Sequence, residues 1–268
     1  MPGNRREGDT LFDKAWSVPF LGFLGVKRVK RILEIGCGTG MWTSTLSNLF
    51  PKSKLIAVDV SRDAAIRTKS RIRNRNLEVI ICDVHHLPFV SGCFDLAACR
   101  RLLMNIGHRK KALLEMKRVT KNNGVVCAIE PSFRDAIEYS TLPSELNFYR
   151  KLLNLTSGSG NPRPDMSFGK KTPALFAACG LEPMKVMVFC LTSLTTSRQN
   201  CNSVDSSSVT SLKRIRHFTD LSRKQFDELS LLARTIDTKR REQVVDKKYV
   251  YVSIVPFVAV RATKKDGT

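Results

Sequence analysis

Short apolar runs alternate with amphipathic, helix-spaced segments through the first half of the chain. Ile32-Leu33-Glu34-Ile35, Lys54–Asp59, Leu77–Asp83, Phe94–Cys99 and Val125–Glu130 each read as a buried strand. Between them, Leu46, Leu49 and Phe50 fall on one helical face. A helix is expected from Arg62 to about Asn74, with Ala64, Ala65 and Ile66 near its start. Leu113, Leu114, Met116 and Val119 recur at helical spacing within 110–119, and Lys121-Asn122-Asn123-Gly124 reads as the turn that follows. Upstream, the apolar stretch Ala15–Gly25 contains Pro19 and two glycines, which predicts a lid or short helix at the domain entrance.

The second half is patterned differently. Ile137, Leu142, Leu146, Tyr149, Leu152, Leu153 and Leu155 predict one or two helices inside 132–164. Met184–Leu191 reads as a strand. Residues 192–211 are rich in Ser, Thr and Asn and read as a flexible loop. Phe218, Leu221, Phe226, Leu229, Leu232 and Ile236 predict one or two helices between Lys213 and Lys239. Tyr249–Val260 is a long β-rich run in which Pro256 predicts a bulge or an interruption. The expected organisation is an N-terminal helical or lid segment (1–30), a core (31–131), a cap insertion (132–164), a core helix and strand (165–192), a flexible loop with a helical insertion (193–248), a final strand (249–262) and a tail (263–268).

The chemistry concentrates at Gly36, Gly38 and Gly40. Glycines spaced by two break both helix and strand, so the chain turns sharply after Ile35, and a residue without Cβ lets a ligand approach the backbone. Strand, glycine turn and helix together form a unit that binds a nucleotide-like ligand at the carboxyl end of a parallel strand. The spacing is not the G-x-G-x-x-G of dinucleotide folds, and no Gly-Lys-Ser/Thr ending marks a P-loop. Asp59 ends the second strand about twenty residues on, where a carboxylate can accept both hydroxyls of a ribose; its bland alternative is a cap on the next helix. Asp83 ends the third strand in the same way.

Glu34-x-Gly36-x-Gly38-x-Gly40 resembles motif I of the class I S-adenosylmethionine (SAM) dependent methyltransferases, of the quinone-type, type 11 branch. Asp83–Phe89 is similar to that family's D-A-x-x-L-P-F, Phe94-Asp95 to its F-D-x-V/A, and Asp165–Leu181 to its G-R-x-L-x-x-L-F-x-x-A-G-L helix. Thr120 and Asn122 stand where the family has Leu and Pro. The likeness covers roughly residues 30–190 and 249–260. It implies an α/β fold: a Rossmann-like, mostly parallel seven-stranded sheet with helices on both faces and an antiparallel last strand. The implied cofactor is SAM, with S-adenosylhomocysteine as product. Glu34, Gly36, Cys37, Gly38, Gly40, Asp59, Val60, Asp83, Val84, Cys99 and Arg100 are the cofactor-binding residues it implies. Asp59 would take the ribose, Val60 would flank the adenine, Asp83 would take the adenine amino group, and Val84 would supply an amide. Cys99 and Arg100 lie where the methionine end meets the substrate. Trp16, Arg101, Asn105 and Tyr139 are substrate-side candidates. His108 and His86 are the catalytic candidates, because imidazole titrates near neutrality. Asp95 is expected to bond locally at its strand start.

Composition narrows the classes. The 268 residues contain no run of 18 apolar residues, and Met1–Asp9 lacks the apolar core of a signal peptide. Eight cysteines show no C-x-x-C pair and the histidines no H-x-x-x-H spacing, so the expected protein is reduced, cytoplasmic and without metal. A net charge of +21 favours polyanions, but the basic residues are scattered and not interleaved with aromatics, as base stacking requires. No Asn/Asp-Pro-Pro-Tyr segment and no Pro-Cys pair follows the fourth strand, which argues against adenine-N6 and cytosine-C5 acceptors. A small organic acceptor is the first expectation. RNA or protein is the second, and SAM binding without catalysis is the third.

Overall fold

The computed structural model describes residues 14–26, 28–156, 164–196, 208–215, 219 and 221–265. The chain falls into two compact units, each with its own core: Met1–Pro131, Phe168–Phe189 and Phe257–Thr268 form the first, and Ser132–Ser167 with Cys190–Pro256 the second.

The first unit is a twisted sheet built on β1 (Arg31–Ile35), β2 (Lys54–Asp59), β3 (Leu77–Ile81), β4 (Phe94–Arg100) and β5 (Thr120–Pro131). The order is β3-β2-β1-β4-β5, followed by β8 (Val250–Thr263), and β7 (Met184–Thr196) pairs with β8. The β1 to β5 neighbours are all parallel, whereas β8 runs antiparallel to β5 from Phe257 to Thr263. The sheet has eight strands, one more than the seven expected, because a short strand, β6 (Ile137–Ser140), also pairs with β8. Ile32, Leu33, Leu55, Ile56, Ala57, Leu96, Ala97, Val126 and Ala128 are buried. Near-continuous apolar strands follow from a parallel sheet whose two faces are both covered.

The covering helices are α1 (Lys14–Leu24), α2 (Met41–Leu49), α3 (Arg62–Arg71), α4 (Arg109–Val119) and α6 (Phe168–Ala178). α1 resolves the lid-or-helix expectation as a helix containing Pro19, and its Phe20 meets Trp42 edge-on at 5.4 Å. α3 begins at Ser61, whose hydroxyl accepts from Ala64 N at 3.3 Å. α4 turns Ala112, Leu113, Met116 and Val119 inward, while Leu114 is exposed.

Three local expectations are corrected. The segment after α4 is the beginning of β5, not a free turn; Asn123 still adopts a positive φ of 63° there, and the β4–β5 register shifts between Phe94 and Leu96. Asp95 does not bond locally: it accepts from Lys30 N and Arg31 N, both at 2.8 Å, and pairs with Lys121 at 2.7 Å, so it fixes where β1 begins beside β4. Pro256 breaks nothing. β8 runs through it, because it falls between the last residue paired with β6, Ile254, and the first paired with β5, Phe257. No amide donor is demanded of it by either ladder.

The second unit pairs β6 (Ile137–Ser140) antiparallel with Tyr251–Ile254. Against them stand α5 (Pro143–Leu155), α7 (Ser208–Ile215) and α8 (Arg223–Val245). Leu142, Phe148, Leu152, Leu212, Leu229, Ala233 and Ile236 form the core. Beside it lies a buried polar cluster. Glu145, 1% exposed, accepts from Arg240, from Tyr249 Oη at 3.0 and 3.1 Å and from Ser140 Oγ at 2.8 Å. Arg240 also donates to Ser208 Oγ and pairs with Asp237, whose carboxylate accepts from Ser208 N. The expected 192–211 loop is strand as far as Thr196 and helix from Ser208; residues 197–207 lie outside the described residues.

Candidate cofactor-binding site

The parallel registers bring the carboxyl ends of β1, β2, β3 and β4 into line: Ile35 lies beside both Val58 and Cys99, and Asp59 beside Ile81. The chain runs outward from β1 to β3, then returns to the other side of β1 as β4. That reversal opens a crevice at the strand tips, where open α/β sheets bind ligands.

The glycine bend fills its mouth. Gly36, Gly38 and Gly40 have φ of 75°, 56° and 79°, a region costly to any residue with a Cβ. Two of the three are also held by close neighbours: a Cβ on Gly36 would lie 2.9 Å from Leu102 Cδ1, and one on Gly40 would lie 2.9 Å from Thr68 Cα. Gly38 differs, since nothing lies within 4 Å of the position its Cβ would take. The bend is stitched to β2. Gly36 N and Cys37 N donate to Val58 O at 2.8 and 3.1 Å, Gly38 N donates to Asp59 Oδ2 at 2.9 Å, and Thr68 Oγ1 donates to Gly38 O at 3.2 Å.

Asp59 therefore does two jobs at once. Its second oxygen accepts from Ser61 N at 2.9 Å and so positions the residue that caps α3, while its carboxylate stays half-buried with further acceptor capacity. Val60 beside it is 73% exposed, and Cys82 N donates to Asp59 O, which joins the β3 tip to β2. Asp83 is exposed. Its carboxyl is held below the ordinary range chiefly by the His85 amide at 2.9 Å, and further by the His85 ring at 2.7 Å. Val84 is buried. Cys37 is buried, and burial pushes its thiol up to about 11.

Glu34 is the most unusual group here. It is 1% exposed, and neither carboxylate oxygen has a hydrogen-bond partner among the described residues. Burial pushes its pKa up to about 8, against the charge-favouring pull of Thr43 and Arg100. An orphaned buried carboxyl beside a bend with open space at Gly38 fits a ligand that carries a cationic group and lies close against the backbone. SAM has both features, and the residues present fit it.

The remaining candidates separate. Cys99 is fully enclosed between Ile35 and Ala128 and presents no surface to a ligand. Arg100 is half-buried, its guanidinium 5.9 Å from the Trp42 ring. Arg101 and Asn105 are exposed on the loop after β4, joined by Asn105 Nδ2 donating to Arg101 O at 2.5 Å. His108, also exposed, has φ 44° just before α4. His86 Nε2 lies 2.7 Å from Lys111 Nζ, which donates to it. Tyr139 lies in the second unit, and the Trp16 side chain falls outside the described residues.

Two residues outside the cofactor, substrate and catalytic candidates given above shape this site. Glu130, fully buried at the end of β5, accepts from Leu102 N at 3.0 Å, Leu103 N at 2.8 Å and Met104 N at 3.2 Å. It thereby fixes the loop whose Leu102 presses on Gly36. His85 bridges Asp83 and Gly107 O, at 2.7 and 3.1 Å. An acid followed by Pro131 at a strand end was the signal available for Glu130.

Residues 33–128 match the family model described as "Methyltransferase domain". The matched stretch runs from β1 into β5. An uncharacterized methyltransferase of Schizosaccharomyces pombe is 29% identical over 42% of this chain and 44% of its own length. A demethylmenaquinone methyltransferase of Staphylococcus aureus is 31% identical over 44% of this chain and 50% of its own length. The chain thus spans about half the length of the curated relatives it matches. Among solved structures, the YcgJ protein from Bacillus subtilis superimposes with a TM-score of 0.56 at 16% identity, over 95% of this chain and 100% of its own. Haemonchus contortus phosphoethanolamine N-methyltransferase 2, in complex with phosphomonomethylethanolamine and S-adenosylhomocysteine, gives 0.52 at 15% identity, over 94% of this chain and 53% of its own. These likenesses show the fold.

Proposed function

We propose that the protein is a SAM-dependent methyltransferase acting on a small organic acceptor. The observation that carries the reading is the open glycine bend between two carboxyl groups of unlike environment, Glu34 buried without a partner and Asp59 at the rim. When bound, SAM supplies an already activated methyl group on a sulfonium whose leaving group is a neutral thioether.

The chain's own task is then alignment, which contributes roughly 7–11 kcal/mol to reactions of this kind. Asp59 takes the ribose hydroxyls, Val60 gives the adenine an apolar face, and Asp83 with the Val84 amide reads the adenine edge. Glu34 takes the cationic methionine end, with Arg100 bordering it. Glu130 holds the 101–105 loop in one conformation, and Arg101 and Asn105 present polar groups to the acceptor. His108 is the residue available to take a proton from the acceptor; His86 is already engaged by Lys111.

The acceptor class is supported by the names of two of the proteins above, demethylmenaquinone methyltransferase and phosphoethanolamine N-methyltransferase. The net charge of +21 makes RNA the competing acceptor. Transfer of labelled methyl from SAM into a fractionated lysate tests the reading. Label is expected in the small-molecule fraction. Label in RNA or protein overturns the acceptor class, and SAM binding with no transfer overturns the activity.

A further inference from the structure

The second unit contains a cavity of its own, about 270 Å3, walled by Phe133, Tyr149, Leu152, Met166, Tyr251 and Val255. All of its lining residues belong to that unit. We propose that this cavity is a binding site for an uncharged, largely apolar small molecule with a flat or slender body, presented with the ring faces of Tyr149 and Tyr251 and with aliphatic side chains.

Ser211 and Ser253 place two small hydroxyls on the wall, and three of its other polar groups already have partners. Tyr251 Oη donates to Glu138 Oε1 at 3.1 Å, Tyr149 Oη accepts from Arg240 at 3.3 Å, and Thr156 Oγ1 donates to Leu153 O at 2.8 Å. A water in such a space finds few of the two to four polar partners it needs, so the cavity favours an apolar occupant over water. Both phenols remain neutral: burial, with Glu138 beside Tyr251, pushes their ionisation upward. The two rings stand 6.2 Å apart and tilted by 59°, which leaves aromatic faces rather than hydroxyls as the contact surface. An anion would meet Glu138. A cation would shed its hydration against a carboxylate already engaged by Tyr251, with little in return.

Size follows from volume. A cavity of about 150 Å3 accommodates benzene, so this one accepts roughly ten to twelve non-hydrogen atoms, the size of naphthalene or a ten-carbon chain. The proposal goes beyond the methyl-transfer reading and does not rest on it, because occupancy is read without SAM.

The test uses the full chain with methyl-13C methionine and titrates three probes of one size class: naphthalene, naphthalene-2-carboxylate and trimethylphenylammonium. The Met166 methyl resonance is identified with Met166→Leu. Naphthalene is expected to shift that resonance saturably and at least ten-fold more tightly than either charged probe. Ala136→Trp, which places a large side chain on the cavity wall, is expected to abolish the shift while leaving the melting transition cooperative. If that variant does not fold, Ser253→Leu serves as the second filling change. No saturable shift overturns the proposal, as does tighter binding of either charged probe, or naphthalene binding unaltered in the filled variant. A SAM titration of the same sample reports separately on the first unit, so loss of one reading leaves the other standing.

Discussion

At the scale of single residues, the three glycines of the bend are not equivalent. Gly40→Ala meets both a left-handed backbone and Thr68 Cα at 2.9 Å, whereas Gly38→Ala meets only the backbone. Left-handed strain costs about 1–2 kcal/mol, so urea unfolding should show both variants destabilised and Gly40→Ala the more so. Gly38→Ala should instead show the larger loss of SAM affinity per unit of lost stability, because its Cβ enters the ligand's space. Equal affinity losses would mean that the ligand does not approach Gly38.

Glu34 gives a pH signature with a definite sign. Its folded pKa of about 8 lies above the ordinary 4.5, so the protein without ligand gains stability as the carboxyl protonates. That contribution is complete below about pH 4.5 and is lost as pH rises through 8. Glu130, raised to about 7 by burial despite its three amide donors, adds in the same direction. A cationic ligand needs Glu34 ionised, so SAM affinity should fall as pH drops below 8, by up to about ten-fold per unit. Calorimetry from pH 8 to 6 measures this, and Glu34→Gln should flatten the slope. A slope that survives in that variant assigns the titration elsewhere.

At the scale of elements, the β4 loop depends on a residue from the next strand. Glu130→Ala leaves three amides, two of them on buried residues, without their acceptor, and each such loss costs about 1–3 kcal/mol. The expected outcome is lower stability together with faster hydrogen exchange at Leu102, Leu103 and Met104. Unchanged exchange there would show that the loop is held by something else. The strands and helices of the first unit were legible because apolar period and burial agree along them, as in Leu55–Val58 and Leu113–Met116. What was not legible was pairing at long range: Asp95 bonds residues more than sixty positions away, and Glu130 holds a loop almost thirty positions upstream. Neither leaves a periodic trace. The β6 strand was missed because four residues, Ile137–Ser140, carry too short an alternation to separate from the helical pattern of Leu142–Leu155.

At the scale of the molecule, the two units have different sources of order. The first is an apolar sheet sandwich whose motif spacing announced the fold and the glycine bend together. The second is pinned by a buried charge cluster that the sequence showed only as an isolated Glu145 and a distant Arg240. Removing one partner of such a pair costs about 3–5 kcal/mol, so Arg240→Ala should strongly destabilise the second unit by leaving Glu145 buried and unpaired. Hydrogen exchange should rise in α5, α7 and α8 before it rises in β1–β5; a uniform rise would mean that the units unfold as one.

On the function proposed above, the tips of β1 and β2, with β3 beside them, form a single grip for an adenosyl sulfonium. Calorimetric titration of the full chain with SAM and S-adenosylhomocysteine, repeated on Asp59→Ala, tests it most directly. One site of micromolar affinity is expected, with a loss of at least about 1.5 kcal/mol in the variant, from hydrogen bonds to a charged acceptor. No heat of binding with either ligand, or equal affinity in the variant, would contradict it.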